Sequence, residues 1–169
     1  MTRRTMPVEG FLVQAMAPSG VELIVGVVQD RAFGPLIACG AGGTSAELLR
    51  DVAVRLTPLS DLDAGEMLRS LKTFALLEEY RGLPPSDVAG VEELLQRVSA
   101  LVEGHREIAE MDLNPVVALP DGPLVIDARL RLQPTMAPAV TPSLSDASTG
   151  WAVSHLRRCQ RPSVHVRVA

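Results

Sequence analysis

Between residues 110 and 130 the chain reads EMDLNPVVALPDGPLVIDARL. Glu110, Asp112 and Asn114 alternate with Met111 and Leu113, so in an extended conformation three oxygen-bearing side chains leave one face and two apolar ones the other. Asp127 adds a fourth oxygen donor in the next run. Carboxylate and amide oxygens suit a hard divalent cation such as Mg²⁺, which keeps several waters and takes few protein ligands, usually beside phosphates. The same spacing also describes the wet outer face of an ordinary hairpin, and on spacing alone that commoner arrangement is the expected one.

The connection between the two runs is Pro120-Asp121-Gly122-Pro123. Pro123 cannot donate the hydrogen bond that closes a two-residue loop, so a four-residue loop is expected. In that register Leu119 faces Leu124, Val116 faces Asp127 and Asn114 faces Arg129. Asn114 and Asp127 are then diagonal neighbours on one face, about 7–8 Å apart, and their oxygens can converge on one ion.

Several elements must hold this hairpin in place. FLVQAM (11–16) and VELIVGVVQD (21–30) read as strands joined by Ala17-Pro18-Ser19-Gly20 into a hairpin, and PLIACG (35–40) as a third strand. After Gly40, Gly42 and Gly43, SAELLRD suggests a short helix, and VAVRL (52–56) alternates as a strand. Ser60 with Asp63 forms a capping box for a helix that presents Met67, Leu68 and Leu71 on one side. Ser86 or Asp87 caps a second helix, whose Val91, Leu94, Leu95, Val98, Leu101 and Val102 fall at helical spacing and form a core stripe. Strands at 108–118 and 124–130 complete an α+β arrangement. From Pro134 the chain turns rich in Pro, Ser, Thr and Ala and then basic, which predicts a domain ending at 133 and a disordered tail over 134–169.

Composition narrows the function classes. A chain of 169 residues with 47% hydrophobic content and a mean hydropathy of +0.20 buries one sizeable core. LIVGVV at 23–28 is too short to span a bilayer, and MTRRTMPVEG has no apolar leader core, so a cytoplasmic location and no membrane partner are expected. With a net charge of −4 and 3% aromatic residues, there is neither a general basic surface nor a set of stacking platforms, which argues against nucleic acid. Cys39 and Cys159 match no paired-cysteine metal motif, and His105, His155 and His165 have no metal-ligand spacing.

QAMAPSGVELIVGVVQD, FGPLIACGAGG followed by ELLRDVAVRLTPL, YRGLPPSD, EIAEMDLNPV and VIDARLRL, in this order and spacing, resemble the ATP-grasp module of nucleoside-diphosphate-forming acyl-CoA synthetases, over residues 9–133. The beta subunit of succinyl-CoA synthetase is a more distant relative. The resemblance implies the carboxy-terminal ATP-grasp subdomain, a mostly antiparallel sheet with helices packed on one face. It further implies Mg²⁺ held by Asn114 and Asp127 with Asp112 in support, and Leu113 and Pro115 setting the strand. ATP or ADP would lie against Gln14, Ala15, Met16 and Ala17, whose backbone reads the adenine edge, and near Glu22. Glu47 takes the place of an acidic residue near the phosphorylated centre, although Thr44-Ser45-Ala46 departs from the family's more apolar stretch. Arg81-Gly82 matches a family Arg-Gly step.

The family's reaction interconverts acyl-CoA, ADP and phosphate with acid, CoA and ATP through phosphoryl transfer. It also uses a glycine-rich flap and a phosphate-binding lysine from the other ATP-grasp subdomain, and CoA-binding and phosphohistidine-bearing domains. Lys72 is the only lysine here and is expected on an amphipathic helix. These parts are therefore expected on another chain or on a missing part of the parent. Two competing readings are a ligand-sensing module of a protein acetyltransferase fusion and a degenerate interaction module.

Overall fold

The computed structural model describes residues 15–43, 51–79, 82 and 84–133, together with the backbone of 164–166. β1 (Val21–Asp30) turns through 31–33 into β2 (Gly34–Ala41), and β3 (Val52–Leu56) pairs with β2. Asp30 closes the first turn: its Oδ1 accepts from the backbone of Ala32 at 2.8 Å and of Phe33 at 3.0 Å. Gly34 follows with φ +81, a conformation that suits a residue without a Cβ. β4 (Ile108–Leu119) lies beside β1 and leads through a tight turn into β5 (Gly122–Val125) and then β6 (Ala128–Leu132). β7 (Val164–Val166) pairs with β6. The order is β3-β2-β1-β4-β6-β7, with β5 also on β4 and every pairing antiparallel.

Two helices cover one face of this sheet. α1 (Asp61–Arg69) begins at the expected capping box: Ser60 Oγ accepts from the Asp63 N–H at 3.2 Å, and Asp63 Oδ2 accepts from the Ser60 N–H at 2.9 Å. α2 (Val88–Gly104) is capped by Asp87, whose Oδ1 accepts from the Gly90 N–H at 2.9 Å. Met67, Leu68, Val91 and Leu95 are fully buried against Leu23, Val25, Ile37 and Val116 of the sheet. Each such side chain contributes about 1.5–3 kcal/mol on burial. The expected α+β class is therefore observed, and among the described residues no helix is long and apolar enough to cross a membrane.

Several expectations change. β1 has both edges occupied, by β2 and β4, so it has no free edge for a hairpin with 11–16. Ala15 and Met16 are not in a strand, and Phe11–Gln14 lie outside the described residues. The helix expected at 45–51 falls almost wholly outside them too. Lys72 does not extend α1; it opens a 3₁₀ helix at Lys72–Leu76. Most of the expected tail lies outside the described residues, but 164–166 joins the sheet, so that segment is not wholly apart from the domain.

The hairpin register also changes. Leu119 pairs with Gly122 across a two-residue turn, Pro120-Asp121, and Gly122 adopts φ +126. The pairing is therefore two residues away from the expected one: Val116 faces Val125 and Asp112 faces Arg129. The objection drawn from Pro123 does not apply, because the turn sits one step earlier and Pro123 stands within β5 opposite Ala118.

Asp51 ties the helical layer to the sheet. Its backbone carbonyl accepts from Ala41 N–H at 3.0 Å, while its carboxylate accepts from Lys72 N–H, Thr73 N–H and Thr73 Oγ1, each at 2.8 Å. The side chain is buried, which works against its charge, but the three donors on the carboxylate, together with the nearby Lys72 charge, hold its pKa below the ordinary carboxylate value. We expect Asp51→Ala to cost on the order of 3 kcal/mol at neutral pH, since each buried donor left unpaired costs about 1–3 kcal/mol. Because the folded pKa is depressed, this contribution is present above the unfolded value of about 3.9 and is lost as pH falls through the lower folded value. Urea denaturation at neutral and acid pH checks this: the gap between wild type and variant narrows on acidification.

Candidate functional site

The site is built on an irregularity in β4. Along β1, Leu23 faces Val116 but Val25 faces Leu113, so Ile24 is opposed by two residues, Asn114 and Pro115. The extra residue shifts the alternation, and Leu113 and Val116 both reach the helix-covered core. Asp112 and Glu110, which alternate with Met111 and Leu113, project from the opposite, helix-free face. The Asn114-Pro115 peptide is cis.

Across the hairpin, Asn114 stands directly opposite Asp127: the Asn114 N–H donates to the Asp127 carbonyl at 3.0 Å, and the Ile126 N–H donates to the Pro115 carbonyl at 3.0 Å. The two candidate cation ligands are thus face to face instead of diagonal. Arg129 stands opposite Asp112, and its Nε donates to Asp127 Oδ2 at 3.0 Å. Asp112, Asn114, Asp127 and Arg129 therefore form a two-by-two patch on the open face. One pair further along, Arg131 is hydrogen-bonded to Glu110.

Charge in this patch is not at its ease. Partial burial pushes the Asp112 carboxyl above the ordinary carboxylate range and the Asp127 charge adds to this, while Arg129 opposes it. A half-buried carboxylate held against its own desolvation is a group that an added cation would relieve. Among the described residues there is no cluster of three or more His, Cys, Asp or Glu able to hold a metal. The donor set of two carboxylates and an amide nevertheless fits Mg²⁺ of the kind that takes few protein ligands and completes its shell with phosphates and water.

A second feature adjoins the patch. A cleft of about 320 Å³ is lined by Ala17, Pro18, Ser19 and Gly20 ahead of β1, by Glu22, and by Pro115, Val117 and Ile126. It brings Ala17 and Glu22 of the expected nucleotide residues together with the β4 irregularity. Ala15 and Met16 do not line it, and Met16 is 93% exposed. Gln14 and Glu47 lie outside the described residues, as does Arg81. Pro115 was expected only to set the strand; it also forms a wall of the cleft.

The glycine cluster has a local explanation. The Gly42 N–H donates to the Glu22 carbonyl at 2.8 Å, and a Cβ on Gly42 would stand 2.9 Å from the Glu22 carbonyl carbon. Gly43 has φ +67, and a Cβ there would meet Glu22 Oε2 at 2.8 Å. Both positions thus favour glycine because the loop runs directly against Glu22. Sequence reasoning missed Val117, Ile126 and Arg129; the signal for Arg129 was the matched alternation of charge in DARLRL and EMDLN.

Cys39 carries no chemistry here. It is fully buried, and burial together with the nearby Asp51 charge pushes its thiol to about 12, so thiolate is scarce at neutral pH.

Residues 1–132 match the ATP-grasp domain family. The chain is 45% identical over 125 residues to the ADP-forming acetate–CoA ligase I of Archaeoglobus fulgidus, covering 74% of this chain and 18% of that protein. It is 37% identical over 123 residues to the beta subunit of the ADP-forming acetate–CoA ligase I of Pyrococcus furiosus, covering 73% of this chain and 53% of the subunit. Among solved structures, it is similar to the dinucleotide-forming acetyl-coenzyme A synthetase 1 of Candidatus Korarchaeum cryptofilum in complex with coenzyme A and Mg-AMPPCP, with a TM-score of 0.67 and 46% identity, over 69% of this chain and 55% of that one. The chain thus spans from under a fifth to about half of the length of these relatives.

The charge balance of the patch gives a direct expectation. Asp112→Asn removes a carboxylate whose folded pKa is raised, and such a group weakens the fold where it is ionised. The variant is expected to be at least as stable as wild type at neutral pH, with the difference vanishing as pH falls below the unfolded carboxylate value of about 3.9. Thermal melts across that range check it; a clear loss of stability at neutral pH would show that Asp112 supports the fold.

Proposed function

The chain belongs to the ATP-grasp domain family, and from that premise we propose that it is the carboxy-terminal, nucleotide- and Mg²⁺-binding part of an ADP-forming acyl-CoA synthetase. The reaction is the reversible conversion of acyl-CoA, ADP and phosphate to acid, CoA and ATP. The observation that carries this reading is the directly opposed pair of Asn114 and Asp127 beside half-buried Asp112, on the open face and next to the cleft that contains Ala17 and Glu22.

In this reading Asn114 and Asp127 hold Mg²⁺ on the nucleotide phosphates, with Asp112 in support. When bound there, the cation would neutralise charge on the phosphates as a phosphoryl group is transferred and would help to orient them. The chain's own residues do the rest. Asn114 lies in β4 and Asp127 in the short link between β5 and β6, and the hydrogen bond from the Asn114 N–H to the Asp127 carbonyl limits their movement. Partial burial of Asp112 strengthens its attraction for a cation relative to an exposed carboxylate. Ala17 and Glu22 line the cleft, where Glu22 supplies a carboxylate, and Gln14, Ala15 and Met16, which precede Ala17 in the sequence, are proposed with it to offer backbone groups to the base. Glu47 lies between β2 and β3 in the sequence and is proposed to act near the phosphorylated group.

The relatives extend well beyond the matched stretch, so we infer that turnover needs CoA-binding and phosphohistidine-bearing domains and the other half of the nucleotide clamp, from another chain or elsewhere in the parent protein. ATP or ADP is the small-molecule partner, and a cytoplasmic location fits this chemistry. Neither nucleic acid nor a membrane has a part in it.

The test is Asn114→Ala and Asp127→Asn, assayed with the complementary domains supplied. Each is expected to lower Mg²⁺-dependent nucleotide affinity at least about tenfold, the loss of one charge-assisted ligand, while the melting temperature stays close to wild type. Magnesium dependence that survives both substitutions would assign the hairpin to the ordinary solvent face of the sheet.

A further inference from the structure

Arg129 is the one member of the four-residue patch that no reading so far employs. It faces Asp112 across the β4–β6 ladder and is two positions along from Asp127, so its guanidinium lies between two carboxylates of the open face. Its Nε donates to Asp127 Oδ2 at 3.0 Å, and its side chain remains 55% exposed. An arginine has five N–H donors in a rigid fork. Only Nε is engaged by Asp127, and the terminal amino groups have no hydrogen-bond acceptor among the described residues.

Two facts follow from this geometry. A cation that ligates Asp127 through Oδ2 must compete with a guanidinium for that oxygen. And a guanidinium displaced from that oxygen stays on the open face, with a fork whose spacing matches two oxygens of a phosphate. Arg131 has no such freedom, because Glu110 holds it.

We propose that Arg129 is a resident counter-cation that makes metal and nucleotide load together. In the nucleotide-free chain it neutralises Asp127 and screens Asp112, and so keeps a bare divalent ion off these carboxylates. When a cation arrives on a nucleotide diphosphate or triphosphate, Arg129 is exchanged from the Asp127 carboxylate onto a phosphate oxygen, and the ion takes the oxygen that it leaves. No bond to carbon or phosphorus changes in this exchange; one ion pair is replaced by two. Arg129 is thus a positioning residue towards Asp127 and a binding residue towards the phosphates. This inference rests on the reading of Asn114 and Asp127 as cation ligands.

The experiment uses the full chain with the other half of the nucleotide clamp supplied and Mn²⁺ as the probe, since its paramagnetism broadens nearby amide signals in proportion to occupancy. Wild type, Arg129→Gln and Arg129→Lys are titrated with Mn²⁺ alone and with Mn²⁺ and ADP, following the amides of Asp112, Leu113, Asn114 and Asp127. Arg129→Gln is expected to bind Mn²⁺ alone about tenfold more tightly than wild type and Mn²⁺-ADP about tenfold more weakly, roughly the worth of one charge-assisted contact in each direction. Arg129→Lys keeps the charge without the fork, so it should exclude bare Mn²⁺ nearly as well as wild type yet recover only part of the Mn²⁺-ADP affinity. A damaged fold weakens both titrations, so a change of opposite sign in the two is a signature that structural loss cannot produce. Equal affinities in all three proteins, or shifts of the same sign with and without ADP, would overturn the role of Arg129 while leaving the cation site intact. If wild type with ADP shows no broadening at these amides, the cation site itself falls, and this inference with it.

Discussion

β4 is paired along both edges and covered by helices on one face, and its side-chain alternation is reset once, at Asn114-Pro115. Without the extra residue, the alternation that buries Met111 and Leu113 would turn Val116 and Ala118 outward. With it, one strand turns Met111, Leu113, Val116 and Ala118 into the core and still sends Asp112 to the open face. A slip of one residue in a strand exchanges its two faces. The core's demand for these apolar residues therefore fixes where the polar ones go, and the candidate site inherits its geometry from hydrophobic packing.

The loops around the site are held by close approach. Gly40 admits the Asp51 carbonyl, since a Cβ there would stand 2.7 Å from its oxygen, and Gly42 and Gly43 admit Glu22. Asp51 then joins the end of this excursion to the start of the 3₁₀ helix through its carboxylate. One buried acid thus secures both sides of the connection between β2 and β3, the connection in which Glu47 lies. A charge serves this purpose better than an apolar residue, because it must be met by donors at defined positions and so fixes the geometry of its neighbours.

What the sequence made legible follows from the range of the interactions involved. The Ser60–Asp63 box, the Asp87 cap and the apolar stripe of α2 depend on contacts within a few residues, and each stands where the spacing put it. The hairpin register depended on which two of four turn residues form its tip, and Pro123 drew attention to the wrong pair. The displacement is two residues, an even number, so Asn114 and Asp127 stay on one face and are opposed instead of diagonal. The hairpin proposed for 11–16 failed for a different reason. Alternation identifies a strand but not its neighbours, and β1 is claimed on one edge by β2, which follows it through a short turn, and on the other by β4, distant in sequence.

The open face of the sheet is divided. Over β1, β2 and β3 it is apolar, with Val28, Val52, Val54 and Leu56 each 40% exposed or more, while over β4 and β6 it carries Glu110, Asp112, Asn114, Arg129 and Arg131. Water solvates the second half readily and gains nothing from the first. A contiguous apolar surface beside a row of paired charges is characteristic of a face that something else covers. In the proposed reading that division has one cause. A nucleotide clamp needs an apolar wall where its other half and the base exclude water, and charged groups where phosphates and a cation are held. Excluding water from the first region lowers the local dielectric in the second, which strengthens the interactions of Asp112, Asp127 and Arg129 with whatever ions enter. The two halves of the face are then parts of one device, and the charged half reaches its full strength only when the apolar half is covered.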